Sequence, residues 1–196
     1  MNFPAVKEYV ISYLQKALPN NLSYHGLHHT IGVYLDAHEI ALSEGIGQHE
    51  LQLLLTAALL HDAGFTRTYN EHEAASADIA REILPQFGYS TEQIERICEM
   101  IMATKIPQTP KDHLAQILCD ADLYYLGGDE FYPIGHTLFQ EFCDRGIVCD
   151  EEGWNKIQLN FLSKHEFFTK TAKERRGKNK ERYLMEIQEI VSRYAA

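Results

Sequence analysis

An all-α fold is predicted by three observations. Apolar residues recur at helical spacing in almost every segment, no stretch alternates convincingly as a strand, and Gly, Pro and capping residues punctuate the pattern at helix-length intervals. Residues 3–18 form a first amphipathic helix, with Pro4 in its first turn and Pro19 beyond its end. A second runs from His25 to Glu44 and stops at Gly45 and Gly47. The third, 48–63, carries the run LQLLLTAALL and is apolar nearly all round, which marks it as the central buried helix; Gly64 ends it. Asn70 is read as the cap of a helix over 71–86. Ser90-Thr91-Glu92-Gln93 has capping-box spacing and opens a helix to Thr104. After Pro107 and Pro110, a helix over 111–126 carries Asp120 and Asp122 and ends at Gly127-Gly128. Three more helices are expected at 131–145, 151–171 and 178–194, with the basic run KERRGKNKER (173–182) as the solvated turn between the last two. No repeat or linker interrupts the 196 residues, which read as a single domain. Its motif core spans 24–126, with the helices of 131–194 packed on it.

Composition narrows the function classes. Apolar content of 45% and charged content of 23% are those of a globular protein. A formal net charge of −10 argues against general nucleic-acid binding, which needs a basic footprint. It leaves room for an anionic small substrate, because a bound metal reverses the local field. The cysteines Cys98, Cys119, Cys143 and Cys149 form no C-x-x-C and read as reduced thiols. MNFPAVKEYV lacks a charged-then-apolar signal pattern, and no apolar run is long enough to span a bilayer. The expectation is a cytoplasmic protein with no membrane partner.

The chemistry concentrates around His61-Asp62, which closes the most apolar helix. An imidazole and a carboxylate at the end of a buried helix need a partner, because an unpaired buried charge is costly. Further ligand types stand beside apolar segments: His25 and His29 one helical turn apart, and Asp120 and Asp122 bracketing Ala121 in ILCDADLYYLG. Two imidazoles and two carboxylates suit a divalent ion such as Mn, Fe, Zn or Ni, with Mg also admitted. Arg67 and Lys105, in loops flanking the region, are candidate phosphate-binding cations, against the reading that both are simply solvated.

The ordered set His29, then His61-Asp62, then an Asp in an Ala-Asp-Leu context resembles the HD-domain superfamily of metal-dependent phosphohydrolases. It is most similar to a bacterial group of predicted metal-dependent HD phosphohydrolases. The resemblance runs from Tyr24 to Tyr183 and includes HDAGF, NEHEAASADIA, ATKIPQTP, DADLYYLG and a later W…Q..FL..H.FFT. It implies an all-α bundle with His29, His61, Asp62 and Asp122 as metal ligands. Asp122 is preferred because the family's ligand sits in an Ala-Asp-Leu setting; Asp120 would then orient a ligand or a water. The segment YHGLHHT also resembles the YHNxxH segment of class I cyclic nucleotide phosphodiesterases, whose first His protonates the leaving oxygen. That role would fall to His25, with Gly26 where that family has Asn. In binuclear HD proteins a third His opens the helix after the HD pair, and His72 resembles it. The fourth is replaced by Ala103-Thr104-Lys105. The resemblance therefore implies one ion per chain, with Glu71 and His72 left to bind phosphate or a water.

The resemblance implies hydrolysis of a nucleotide or related phosphoester, monoester or diester, through a metal-activated water. Asp62 would act as ligand and proton acceptor, with His25 and His72 as the other catalytic groups. Two other functions use the same residues: a non-catalytic nucleotide-sensing or partner-binding module, and a di-iron HD-type oxygenase, against which Thr104 counts. Tyr- and Phe-rich surface is compatible with a homodimer.

Overall fold

A computed structural model describes residues 1–194. Among them are nine α-helices and no strand, as the periodicity predicts. They pack as two compact units: Met1–Asn20 with His25–Asp122, and Asn21–Tyr24 with the chain from Leu123 onwards.

In the first unit α1 (Phe3–Ala17) is capped by Asn2, whose side chain accepts from Ala5 N–H. Helix α2 spans Leu27–Ser43 with Gly26 as an extended N-cap. His25 therefore precedes the helix, and its nearness to His29 does not come from a shared helical face. Helix α3 (Gln48–Leu60) is buried all round from Leu53 to its end because α1, α2, α4 (His72–Ile83), α5 (Thr91–Ala103) and α6 (His113–Asp122) all pack on it. That surround is what an all-apolar helix requires.

Asn70 does not cap α4. The N-cap is Glu71, in the left-handed region at φ 57, with no side-chain hydrogen bond to the helix. The capping box at α5 is complete: Gln93 N–H donates to Ser90 Oγ at 3.3 Å and Ser90 N–H donates to Gln93 Oε1 at 3.0 Å. Ser90→Ala is expected to cost about 1 kcal/mol, read as a lower denaturation midpoint at unchanged m-value.

The second unit corrects the expected C-terminal helices. Helix α7 covers Phe131–Asp144, α8 stops at Lys164 after starting at Glu151, and α9 runs unbroken over Lys170–Arg193. The basic run 173–182 lies inside α9 and is not a turn. Lys, Arg and Glu are good helix formers, and Gly177, with nothing within 4 Å of its missing Cβ, costs only about 1 kcal/mol. The break falls at 165–168 instead, where Thr169 accepts from Ala172 N–H and restarts the helix. Lys180 secures the joint by donating to the carbonyls of Leu162 and His165 at the end of α8.

Tyr124 and Phe131 belong to this unit's core. Phe131 stacks on Tyr183 at 4.3 Å, and the Arg176 guanidinium lies 4.2 Å over the Tyr124 ring. All four cysteines are free; Cys98 and Cys119 are buried, and burial pushes the Cys98 thiol up to about 11. No helix among the described residues is long and apolar enough to cross a membrane.

Candidate metal centre

Three segments of the first unit bring four candidate donor residues to one place. His29 comes from the first turn of α2, His61 and Asp62 from the end of α3, and Asp122 from the last residue of α6. His61 is the most deeply buried of them and is anchored to the backbone. The last carbonyls of a helix lack intrahelical partners, and one of these, Ala58 O, lies 2.8 Å from His61 Nδ1. A carbonyl only accepts, so Nδ1 carries the hydrogen and Nε2 faces the cluster.

Around Nε2 the spacing is tight. His29 Nε2 lies 3.3 Å from His61 Nε2 and 3.1 Å from Asp122 Oδ1. Asp122 Oδ1 is 3.4 Å from His61 Nε2, and Asp62 Oδ2 is 3.4 and 3.3 Å from the two ring nitrogens. Donors about 2.1 Å from a shared ion sit about 3.0 Å apart in an octahedron and about 3.4 Å apart in a tetrahedron. The observed separations fall in that range. Among the described residues, His29, His61 and Asp122 form the group whose donor atoms lie close enough together, all within 4.8 Å, to hold a metal.

Two further features fit a cation. Asp62 Oδ2 is buried without a hydrogen bond among the described residues. The charges also ask for one: burial opposes ionising His61, yet Asp62 and Asp122 outweigh it and hold its pKa well above the usual value. Burial likewise opposes the charge on Asp62 and Asp122, but the histidines hold Asp62 well below the carboxylate range and Asp122 at about 2. Two carboxylates set beside imidazole nitrogens are a donor set that suits a divalent ion in chemical terms. Adding a divalent ion to stripped protein is expected to raise Tm, by the equivalent of about 2.7 kcal/mol at a hundredfold excess over Kd.

The surrounding residues divide. His72 Nε2 lies 3.3 Å from Asp62 Oδ1, the oxygen turned away from the first cluster, and 3.5 Å from Glu73 Oε1. Burial opposes its charge while Asp62 raises its pKa. His25 approaches within 5.9 Å of the His29 ring and 6.1 Å of the His72 ring, centre to centre. Asp120 is fully buried on α6 and takes no part in the His29, His61 and Asp122 group. Lys105 pairs with Glu71 at 2.5 Å, and Arg67 forks onto Glu82 at 3.0 and 2.6 Å on exposed surface. Thr104, where a fourth histidine would stand, is buried and bonds the Ile101 carbonyl.

Four contributors carry no sequence signal of the kind sought above. Glu73 is a buried carboxylate beside His72, and Phe65 packs under both His25 and His72. Gly64 N–H donates to Ser76 Oγ at 2.7 Å, tying the HD turn to α4. The Gly and Phe of HDAGF, two and three residues past Asp62, are the available clue.

The fold and site define an all-helical protein with a partly buried His/His/Asp cluster that could hold a metal. The chain belongs to the HD domain family, whose model matches residues 26–125. It is 33% identical over 101 residues to an uncharacterized protein from Clostridium beijerinckii, a match covering 50% of this chain and 62% of that relative's length. Solved structures share the fold along nearly the whole chain. A predicted HD superfamily hydrolase from an uncultured Thermotogales bacterium is 22% identical with a TM-score of 0.63, covering 99% of both chains. YpgQ from Bacillus subtilis, solved in complex with ADP, is 19% identical with a TM-score of 0.67, covering 97% of this chain and 95% of that one. A protein from Lactobacillus plantarum is 18% identical with a TM-score of 0.70, covering 99% and 97%.

Proposed function

We propose that this chain is a metal-dependent phosphohydrolase acting on a nucleotide or related phosphoester. The observation that carries the reading is the convergence of His29, His61, Asp62 and Asp122 with two further imidazoles, His25 and His72, beside them. The four donors would hold one divalent ion. Such an ion supplies Lewis acidity, lowering the pKa of a water from about 15.7 to roughly 7 and countering phosphate charge.

The chain's own groups supply the rest. Asp62 keeps Oδ1 for a second task, accepting the proton of the attacking water with His72 held against it. His25 protonates the leaving oxygen as the P–O bond breaks, so the departing group leaves neutral. Lys105, released from Glu71, offsets charge on the transferred phosphoryl group. The nucleotide class is supported by the ADP complex of the fold relative YpgQ. The four free thiols fit a reducing compartment, the cytoplasm.

The test is to strip the protein with chelator, reload single divalent ions, and measure bound ion and turnover over phosphomonoesters, cyclic nucleotides and nucleoside polyphosphates. The expected result is one ion per chain and ion-dependent release of product from at least one class. ADP binding without turnover of any member would make the chain a sensing module instead. Two irons with oxygen consumption would make it an oxygenase.

A further inference from the structure

The two imidazoles beside the cluster share one aromatic ring. Phe65, in the 3₁₀ turn Ala63–Thr66 directly after Asp62, is 4% exposed. Its ring stacks on His72 at 4.0 Å with 19° between planes, and on His25 at 4.4 Å with 30°. His25 arrives from the bend before α2 and His72 from the first residue of α4. We propose that Phe65 is the positioning residue that sets the ring planes of His25 and His72 beside the cluster.

The argument is torsional. The outer torsion of histidine is broad and roughly two-fold, so a backbone position fixes where the ring is but not which way its nitrogens point. A ring stacked at 4.0 Å cannot turn about that torsion without driving its edge into the aromatic face. For His72 the restraint has a consequence: its Nε2 meets Asp62 Oδ1 and Glu73 Oε1 in one orientation of the ring plane.

The platform is itself tied to the cluster. Phe65 N–H donates to the Asp62 carbonyl at 3.1 Å, Thr66 Oγ1 donates to the Ala63 carbonyl at 2.7 Å, and Tyr69 packs against the Phe65 ring at 5.2 Å. Asp62 and the ring that orients its neighbours therefore move as one turn. The consequence for turnover rests on the phosphohydrolase reading; the hold on the two rings does not.

Both parts are tested on the zinc-loaded full chain. Imidazole ring protons are followed by ¹H–¹³C NMR and assigned with His25→Gln and His72→Gln. Protons over an aromatic face are shielded, so the His25 and His72 resonances of the wild-type protein are expected upfield of ordinary histidines. Phe65→Leu removes the displacement and Phe65→Tyr keeps it. On a phosphoester that the wild type turns over, Phe65→Leu is expected to lower kcat by about 10- to 100-fold, with KM within about twofold and bound zinc unchanged; Phe65→Tyr restores the rate. Undisplaced His25 and His72 resonances in the wild type overturn the proposal, whether or not a variant folds. Wild-type kcat in Phe65→Leu after the displacement is lost overturns it as well. Intact displacement with no phosphoester turnover by the wild type sinks the hydrolase reading and leaves the hold on the rings established.

Discussion

His61→Ala is expected to yield protein without its divalent ion and to cut phosphoester turnover at least about a thousandfold, because the ion supplies both water activation and charge stabilisation. His61 is fully buried, and its Nε2 faces His29, Asp62 and Asp122 at 3.3 to 3.4 Å. Alanine removes a donor from the middle of the set and, in the ion-free protein, the imidazolium that helps hold Asp62 ionised. Breaking a buried ionic contact typically costs about 3–5 kcal/mol, so stability falls too and should be followed by denaturation beside metal content. The neighbouring aspartates sharpen the result. Asp122→Asn should lose the ion, whereas Asp120→Asn should retain it, since Asp122 Oδ1 stands 3.1 Å from His29 Nε2 and 3.4 Å from His61 Nε2. Loss of the ion in Asp120→Asn alone would reverse the two roles.

Gly64→Ala should destabilise the first unit by about 3 kcal/mol or more, at the upper end for an overpacked interior. A Cβ on Gly64 would sit 1.9 Å from the His72 carbonyl oxygen and 2.9 Å from Ser76 N. Both obstacles are backbone of α4, so no side chain can swing aside. Relief would need α4 to move from the HD turn, breaking the Gly64–Ser76 hydrogen bond and drawing His72 off Asp62. Gly32→Ala is the control. It lies within α2 with nothing within 4 Å of its missing Cβ, and alanine there should stabilise by roughly 1 kcal/mol. Urea midpoints decide the matter, and equal stability of Gly64→Ala and wild type would refute the close-approach argument.

Much of the fold could be read beforehand because its signals are local. The Ser90/Gln93 box, the nearly all-apolar α3 and the Gly45–Gly47 stop each use residues within a few positions of one another. Where a local signal was ambiguous, the reading failed. A basic stretch containing Gly177 looks like a turn by composition, yet intrinsic helix preference outweighs one glycine, and the true break at 165–168 has Thr169 as its only clear mark. Asn70 has a good capping side chain, but the left-handed backbone at Glu71 places the cap one residue later.

The candidate site divides along the same line. His29, His61, Asp62 and Asp122 could be named because their residue types stand out against apolar surroundings, and the resemblance chose between Asp120 and Asp122. The parts that depend on three-dimensional approach were hidden. Nothing in one sequence says that Ala58 lends a carbonyl to His61, that Glu73 is buried, or that Phe65 lies under two histidines at once.

Asp62 turns its two oxygens to different partners, Oδ2 to His29 and His61 and Oδ1 to His72. This bears on how a bound ligand could be caught for crystallography. The customary way to freeze a hydrolase with its substrate is to exchange a carboxylate for its amide. An asparagine at this position has one acceptor oxygen and one NH₂. Flipped one way, the NH₂ points at the ring nitrogens and displaces the ion; flipped the other, it faces His72 Nε2 and unhooks that ring. Either orientation spoils the arrangement the trap is meant to preserve. His25→Gln, which leaves all four donors in place, is the better starting point for a frozen complex.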